Sequence, residues 1–300
     1  MPVVGFLSSR SPEESGGLLA AFYQGLRETG FIEGKNVLIA FRWAEGRYDR
    51  LPALAADLIG LPVTALFTAG GAPSALAAKA ATSTIPIVFS AVNEPVQLGL
   101  VVSLNRPGGN VTGMSTFASE FWAKSAELLK ELVPTATVIA YLMNPSSPVA
   151  ERYLSGAAMA ASNLGIDVHV LNAGTEQELD AAFAKLPNLR AGGLVVPNEP
   201  FLDAQRVKIV ALSARYAVPA VYSLREYAVA GGLMSYGFNL PDSYRRAGIY
   251  LGRVLKGEQP TDLPVQQPQK FELVINLKTA KTLGLHVPLS LQQRADEIIE

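Results

Sequence analysis

Short apolar runs recur along this chain, each stopping in small polar residues and each followed by a stretch with helical spacing. The first run, Val3–Leu7, ends in Ser8, Ser9 and Arg10. From Leu18 to Thr29 the apolar positions Leu19, Phe22, Tyr23 and Leu26 share one helical face, and Gly30 stops the helix. Val37–Phe41 reads as a second strand, Leu51–Ile59 as a helix opened by Pro52, Val63–Thr68 as a third strand and Ala75–Ala81 as an alanine-rich helix. A fourth strand, Ile85–Phe89, breaks into Ser90, Asn93, Glu94 and Pro95, and a short helix is expected over Val96–Leu104. Continuous apolar runs suit strands buried on both faces, and the alternation with helices predicts a parallel sheet with right-handed crossovers.

The same grammar then repeats. Val111–Ser115 reads as a passage out of the first series. Helix Phe121–Val133, strand Val138–Met143, loop Asn144–Ser147 and helix Val149–Leu164 open a second one. Strand Ile166–Leu171, helix Glu176–Leu186, strand Gly193–Val196, helix Leu202–Tyr216, strand Val218–Tyr222 and helix Arg225–Ala230 continue it. Leu233–Gly237 reads as a second passage, Tyr244–Leu255 as an amphipathic helix and Gln259–Lys270 as an extended Pro/Gln-rich connector. Strand Phe271–Leu277, a helical Lys278–Leu283 and a terminal helix over 291–299 close the chain. The expected fold is α/β, with two Rossmann-like lobes carrying parallel sheets. Residues 1–115 with 237–262 are expected to form one lobe, and 116–236 with 263–300 the other.

Composition narrows the function. Three hundred residues exceed the usual size of a single core, and 49% hydrophobic against 17% charged residues describes a globular chain. A net charge of -1 gives no general pull toward nucleic acid, and no nucleic-acid partner is expected. The absence of cysteine removes thiolate nucleophiles, disulfides and Cys-based metal sites, leaving His169 and His286 as the imidazoles. No metal and no cofactor are expected. Met1-Pro2-Val3 leads straight into a strand without a leader, which fits either a cytoplasmic chain or one whose leader has been removed.

The strand-end loops carry the candidate chemistry. Glu94 and Glu199 stand one in each half, either as a carboxylate pair for a hydrolase or racemase or as hydrated loop carboxylates. Ala69-Gly70-Gly71-Ala72-Pro73-Ser74 could let backbone N–H groups approach an anion, yet it lacks the lysine of a phosphate loop. Neutral groups dominate: Ser8, Ser9, Thr68, Ser74, Ser90, Asn93, Asn144, Ser146, Ser147, Asn198, Ser223 and Ser235, with the aromatics Trp43, Phe117, Tyr222 and Tyr236 near the same levels. Hydroxyls and amides beside aromatic walls describe recognition of a small molecule better than catalysis.

Three long segments, Ile85–Met114, Leu233–Glu258 and Leu263–His286, resemble the ABC-transporter substrate-binding proteins of the tryptophan-binding type. With the βα spacing between them, the resemblance spans essentially the whole chain. It implies a periplasmic binding protein type I fold, with three crossings forming a hinge and a small solute held in the hinge cleft. It implies a solute-binding component, not an enzyme, that works as a monomer outside the cytoplasm and delivers an amino acid or an aromatic or branched carboxylate to a membrane permease with its ATPase. Hinge motion is expected at Gly113–Ser119, Ser235–Gly237 and the Pro/Gln-rich connector. Ser9, Trp43, Gly71, Ser74, Asn93, Glu94, Asn144, Ser146, Ser147, Asn198, Tyr222, Ser223 and Tyr236 are the implied ligand contacts. Glu94-Pro95 stands where the family commonly carries Asp-Pro, so the carboxylate reaches one methylene further. An effector-sensing domain of a regulator would share the fold, but no helix-turn-helix precedes Val3.

Overall fold

The computed structural model describes all residues except 117, 152–153, 155–160, 162–163 and 269. The expected helix Val149–Leu164 and the side chain of Phe117 therefore lie largely or wholly outside the described residues. The chain forms two compact units, residues 1–117 with 240–269 and residues 118–239 with 270–300.

The first unit is built on a five-stranded parallel sheet in the order β2-β1-β3-β4-β5. Its strands are β1 (Val3–Ser8), β2 (Leu38–Trp43), β3 (Ala65–Ala69), β4 (Ile87–Asn93) and β5 (Val111–Thr116). Helix α1 (Gly16–Glu28) packs beside the long helix α10 (Leu240–Leu255) so closely that a Cβ on Gly25 would lie 1.9 Å from the Arg245 carbonyl oxygen. A Cβ on Gly248 would lie 2.5 Å from the Phe22 carbonyl oxygen. These two glycines let the helix backbones touch, and an aromatic cluster of Phe6, Phe22, Phe67 and Tyr244 fills the space between helix and sheet. Each buried ring of that kind contributes about 2–3 kcal/mol. Helix α2 (Leu51–Ile59) places Leu58 against Gly5, and α3 (Ala72–Ala81) follows β3.

The connector to residue 268 stays on this unit. Thr112 Oγ1 donates to the Leu263 carbonyl at 2.6 Å, Val265 N to Leu104 O at 2.7 Å, and Gln266 N to Gly113 O at 3.0 Å. Ser115 N returns a bond to Gln266 O at 2.7 Å, and the Arg246 guanidinium clasps Gln266 Oε1 at 2.5 and 3.0 Å. The unit thus extends past the expected boundary after residue 262, because backbone pairing to β5 outweighs the extended character of the Pro/Gln run.

The second unit carries a seven-stranded sheet in the order β12-β11-β10-β9-β8-β6-β7. The strands are β6 (Val138–Met143), β7 (Asp167–Asn172), β8 (Gly193–Val196), β9 (Ala220–Tyr222), β10 (Met234–Phe238), β11 (Phe271–Asn276) and β12 (Glu297–Ile299). From β7 to β10 the order repeats that of the first sheet, and all pairs are parallel except β10 with β11. Helices α4 (Ala118–Leu132), α5 (Glu176–Phe183), α6 (Leu186–Leu189), α7 (Pro200–Ala204), α8 (Arg206–Arg215), α9 (Arg225–Val229), α11 (Leu277–Thr282) and α12 (Leu289–Arg294) complete it. Phe121, Trp122, Leu129, Tyr141, Val195, Val221, Met234 and Ile275 belong to one buried cluster.

Among the described residues, one expected helix is absent and the terminal one is cut short. Residues 95–100 form turns, since Gly99 adopts φ +67° and Leu98 N bonds Glu94 O while Leu100 N bonds Pro95 O. The terminal segment is a short helix and then β12, because the β-branched Ile298 and Ile299 pair with Ile275 and Asn276. The expected helix Leu202–Tyr216 is two helices, α7 and α8, broken at Gln205.

Candidate functional site

Each sheet reverses its strand order once in its parallel part, between β1 and β3 in the first unit and between β6 and β8 in the second. Loops at the carboxyl ends of strands beside such a reversal splay apart, and ligands of open α/β sheets bind there.

In the first unit, Ser9 follows β1 and donates from Oγ to the Gly70 carbonyl at 2.6 Å. Gly70 and Gly71 have φ +77° and +78°, and a Cβ on Gly70 would come within 2.0 Å of the Ser9 hydroxyl. Only glycine takes that turn without strain. It delivers the chain to α3, whose first turn has no acidic residue and no side-chain cap. Ser74 turns its hydroxyl back to Ala69 O at 2.6 Å and Gly71 O at 3.1 Å, so it shapes the loop as well as standing in it. Asn93 ends β4 and accepts at Oδ1 from Thr116 Oγ1. Glu94, half-buried, takes a left-handed backbone at φ +49°, and Ala91 at +52° lies in the register shift between β4 and β5. Two left-handed non-glycine residues within four positions mark a loop held in an unusual path by its surroundings.

Two residues that sequence reasoning passed over lie at the same edge. Arg10 is buried directly after Ser9, with Nη1 3.8 Å from the Glu14 carboxylate. Tyr244 of α10 accepts from Gly70 N at 3.2 Å, and burial raises its phenol pKa while the neighbouring Arg10 charge opposes the rise. The Ser8-Ser9-Arg10 run was the available signal for the first. Nothing local marks Tyr244, because its role depends on α10 returning from far along the chain.

In the second unit, Asn144 follows β6 and donates from Nδ2 to Glu199 Oε1 at 3.1 Å, while its Oδ1 accepts from Ser146 N at 3.0 Å. Glu199 is the cap of α7: Oε2 accepts from Leu202 N at 3.0 Å, and the residue is buried. It is therefore neither a hydrated loop carboxylate nor a free general base. Ser146 is exposed, Ser147 buried and Asn198 half-buried in the same pair of loops. Ser223 directly follows β9, buried.

The expected aromatic walls divide. Tyr222 is wholly buried, donates to Ser213 Oγ at 3.0 Å and stacks on Tyr227 at 4.6 Å. It is a core residue, with a phenol pKa pushed far up by burial. Trp43 ends the edge strand β2 and stacks on Phe41 at 5.7 Å, with Phe6 at 5.4 Å, which makes it part of the aromatic cluster over the sheet. Tyr236 remains half-buried and stacks on Phe271 at 5.4 Å. Trp122, not singled out by the sequence, stacks on Tyr141 at 5.7 Å.

Among the described residues, no group of three His, Asp or Glu side chains could hold a metal ion, and no helix is long and apolar enough to cross a membrane. What the two edges offer is backbone amides, hydroxyl and amide side chains, the charged Arg10, Glu94 and Glu199, and the half-buried Tyr236.

Known proteins match this description. Residues 14–299 match the family model described as ABC transporter substrate binding protein. A tyrosine-binding protein of Clostridioides difficile (strain R20291) is 28% identical over 264 residues, covering 88% of this chain and 75% of that protein. A conserved domain protein of Vibrio cholerae superposes with a TM-score of 0.91 at 25% identity, over 99% of each chain. An ABC domain from Streptococcus pneumonia, solved in complex with L-Trp, superposes with a TM-score of 0.89 at 25% identity, again over 99% of each chain. The fold is that of a type I periplasmic binding protein, two α/β lobes with parallel sheets. With a family match running nearly from end to end, the chain belongs to the ABC transporter substrate-binding proteins, the solute-capturing, non-catalytic component of ABC importers.

Proposed function

We propose that the solute is an aromatic amino acid, or a closely related aromatic or branched carboxylate, bound without being chemically altered. The observation that carries this reading is the half-buried Tyr236 of the second unit, stacked on Phe271 at 5.4 Å. An aromatic ring bound there gains stacking and apolar burial. The tyrosine-binding relative and the L-Trp complex support the same class.

The contacts we assign follow from the edges of the sheets. The N–H groups after Gly71 suit a carboxylate, since α3 opens without an acid or a cap, and Ser9 and Ser74 contribute by holding that loop through their bonds to Gly70 O and Ala69 O. Glu94 suits a ligand ammonium, and Asn93 adds an amide. Asn144, Ser146, Ser147, Asn198, Ser223 and Tyr236 supply the second unit's share. Trp43 and Tyr222 act through packing. Residues 1–117 with 240–269 and residues 118–239 with 270–300 serve as the two lobes. The working form is a monomer outside the cytoplasm, and the closed form is handed to a permease coupled to an ATPase.

A thermal-shift screen of the full chain against the amino acids, aromatic acids and small sugars tests the assignment. A specific solute at a hundred times its Kd stabilises by about 2.7 kcal/mol through linkage. A rise in Tm with aromatic amino acids, and recovery of the solute intact, is the expected result. A rise with sugars alone would overturn it.

A further inference from the structure

Buried polar atoms in folded chains almost always find a partner, and each exception calls for an explanation. Three exceptions fall on one face of the second unit: Trp122 Nε1, Ser125 Oγ and Ser223 Oγ are buried and make no hydrogen bond. Their residues are 3%, 0% and 3% exposed. Trp122 and Ser125 stand one turn apart on α4. Val221 packs in one cluster with Trp122, Phe121 and Tyr141. Ser223 lies two residues further on, and the parallel ladder reaches it through Ser223 N donating to Val196 O at 3.1 Å. Side chains alternate along a strand, so Ser223 shares the face of Val221, while Tyr222 points the other way to Ser213 of α8. Ser223 is also at the carboxyl edge of the sheet, pressed against β10 so that a Cβ on Gly237 would lie 1.8 Å from its carbonyl oxygen.

The chemistry of these atoms selects the partner. An indole N–H only donates, and the two hydroxyls can donate as well. Between them they satisfy an oxygen acceptor and offer nothing to a cation that the indole could join in binding. We propose that Trp122 is a specificity-determining residue of the solute site, its Nε1–H donating, together with the Ser125 and Ser223 hydroxyls, to an oxygen acceptor of the solute. This rests on the aromatic amino acid reading above, in which the acceptor is the carboxylate or a ring hydroxyl. The ring of Trp122 stacks and its N–H selects.

The test is calorimetry on the full chain with L-tyrosine, L-phenylalanine, L-tryptophan, tyramine and tryptamine. Trp122→Phe keeps a ring beside Tyr141 and removes the donor. It should weaken the best amino acid by about 10-fold, the size of one net hydrogen bond. That loss should vanish for the analogue lacking the acceptor: the amines if the carboxylate is held, L-phenylalanine if a ring hydroxyl is. Ser125→Ala and Ser223→Ala remove little volume and should weaken binding in the same pattern, which keeps the test sound should Trp122→Phe fold poorly by Tm. Unchanged affinity in all three variants, or an equal loss for every ligand, overturns the inference while leaving the solute class standing. A wild-type chain that binds none of the five overturns the aromatic amino acid reading, and the inference with it.

Discussion

Asn144 donates to Glu199 across the strand-order reversal of the second sheet, Nδ2 to Oε1 at 3.1 Å. The counterpart in the first sheet is Ser9 donating to the Gly70 carbonyl at 2.6 Å, across the reversal between β1 and β3. In both units a side chain from the loop after the first strand fastens the loop after the third. Strand-end loops at such a reversal diverge, so without a tie they would fray. The ties hold each strand-end edge in one shape, and with the solute site proposed there they would lower the ordering cost of binding.

Glu199→Ala should therefore cost stability rather than a catalytic step. It removes the cap acceptor of Leu202 N and leaves the buried Asn144 amide without its partner. The expected loss is about 2–3 kcal/mol, the sum of a helix cap and an unpaired buried donor. Glu199→Gln, which keeps an acceptor for Leu202, should lose less. Equilibrium denaturation measures both, and equal stability of wild type and Glu199→Ala would return this carboxylate to a solvated loop.

Much of the fold was legible because its strands are buried on both faces. Val3–Leu7 and Val138–Met143 read as continuous apolar runs, and their loops read as stops. The strand-end residues Ser9, Ser74, Asn93 and Asn144 could be located for the same reason. What failed depended on tertiary context. Glu199 beside Pro200 looks like any loop acid until Asn144 and the α7 amides surround it. Tyr222 ends a strand, yet strand alternation sends it into the core. Ile298 and Ile299 continued a helical-looking pattern, but an available edge at β11 made them a strand. Trp122 lies inside the helix expected over Phe121–Val133, and nothing in the sequence marks its indole N–H, which finds no hydrogen-bond partner in the fold.

The α1–α10 contact predicts a sharp size limit. Gly25→Ala would put a methyl 1.9 Å from the Arg245 carbonyl oxygen, a backbone atom that cannot swing away. The helices must separate, and overpacking of that kind costs roughly 1–3 kcal/mol or more. Gly16→Ala on the same helix meets nothing within 4 Å and should be neutral or slightly stabilising. Comparing the two midpoints in urea isolates the helix contact, and similar values would show that the helices can slide.

Replacing Glu94 and Asn198 together should lower affinity for the cognate solute. Glu94 is assigned the ligand ammonium, and a charge-assisted hydrogen bond contributes about 1.5–3 kcal/mol, so Glu94→Gln alone should weaken binding at least ~10-fold. Tyr222→Phe is the contrasting variant. Its hydroxyl donates to Ser213 in the core, so it should lose about 1 kcal/mol of stability and keep its affinity. Calorimetry that finds the double variant unchanged would move the site away from these loops.

Acid should act first on the attachment of β12. Arg225 holds Glu297 through two hydrogen bonds of 2.7 Å, and Lys270 pairs with Asp296, whose other oxygen accepts from Leu273 N at 2.8 Å. The Arg225 hydrogen bonds lower the pKa of Glu297, and the Lys270 hydrogen bond followed by the Leu273 N–H lowers that of Asp296. With the folded-state pKa values depressed, the unfolded chain binds protons first as pH falls. The stabilisation is complete above the ordinary carboxylate values near ~4 and is lost as pH drops through the lower folded values. These groups are partly exposed, so the effect should be modest and should shrink in salt. Tm measured from neutral pH downward should begin to fall below about pH 5. Asp296→Asn should start lower and fall less steeply over that range, since its side chain no longer titrates, and a slope identical to wild type would exclude this carboxylate from the acid response.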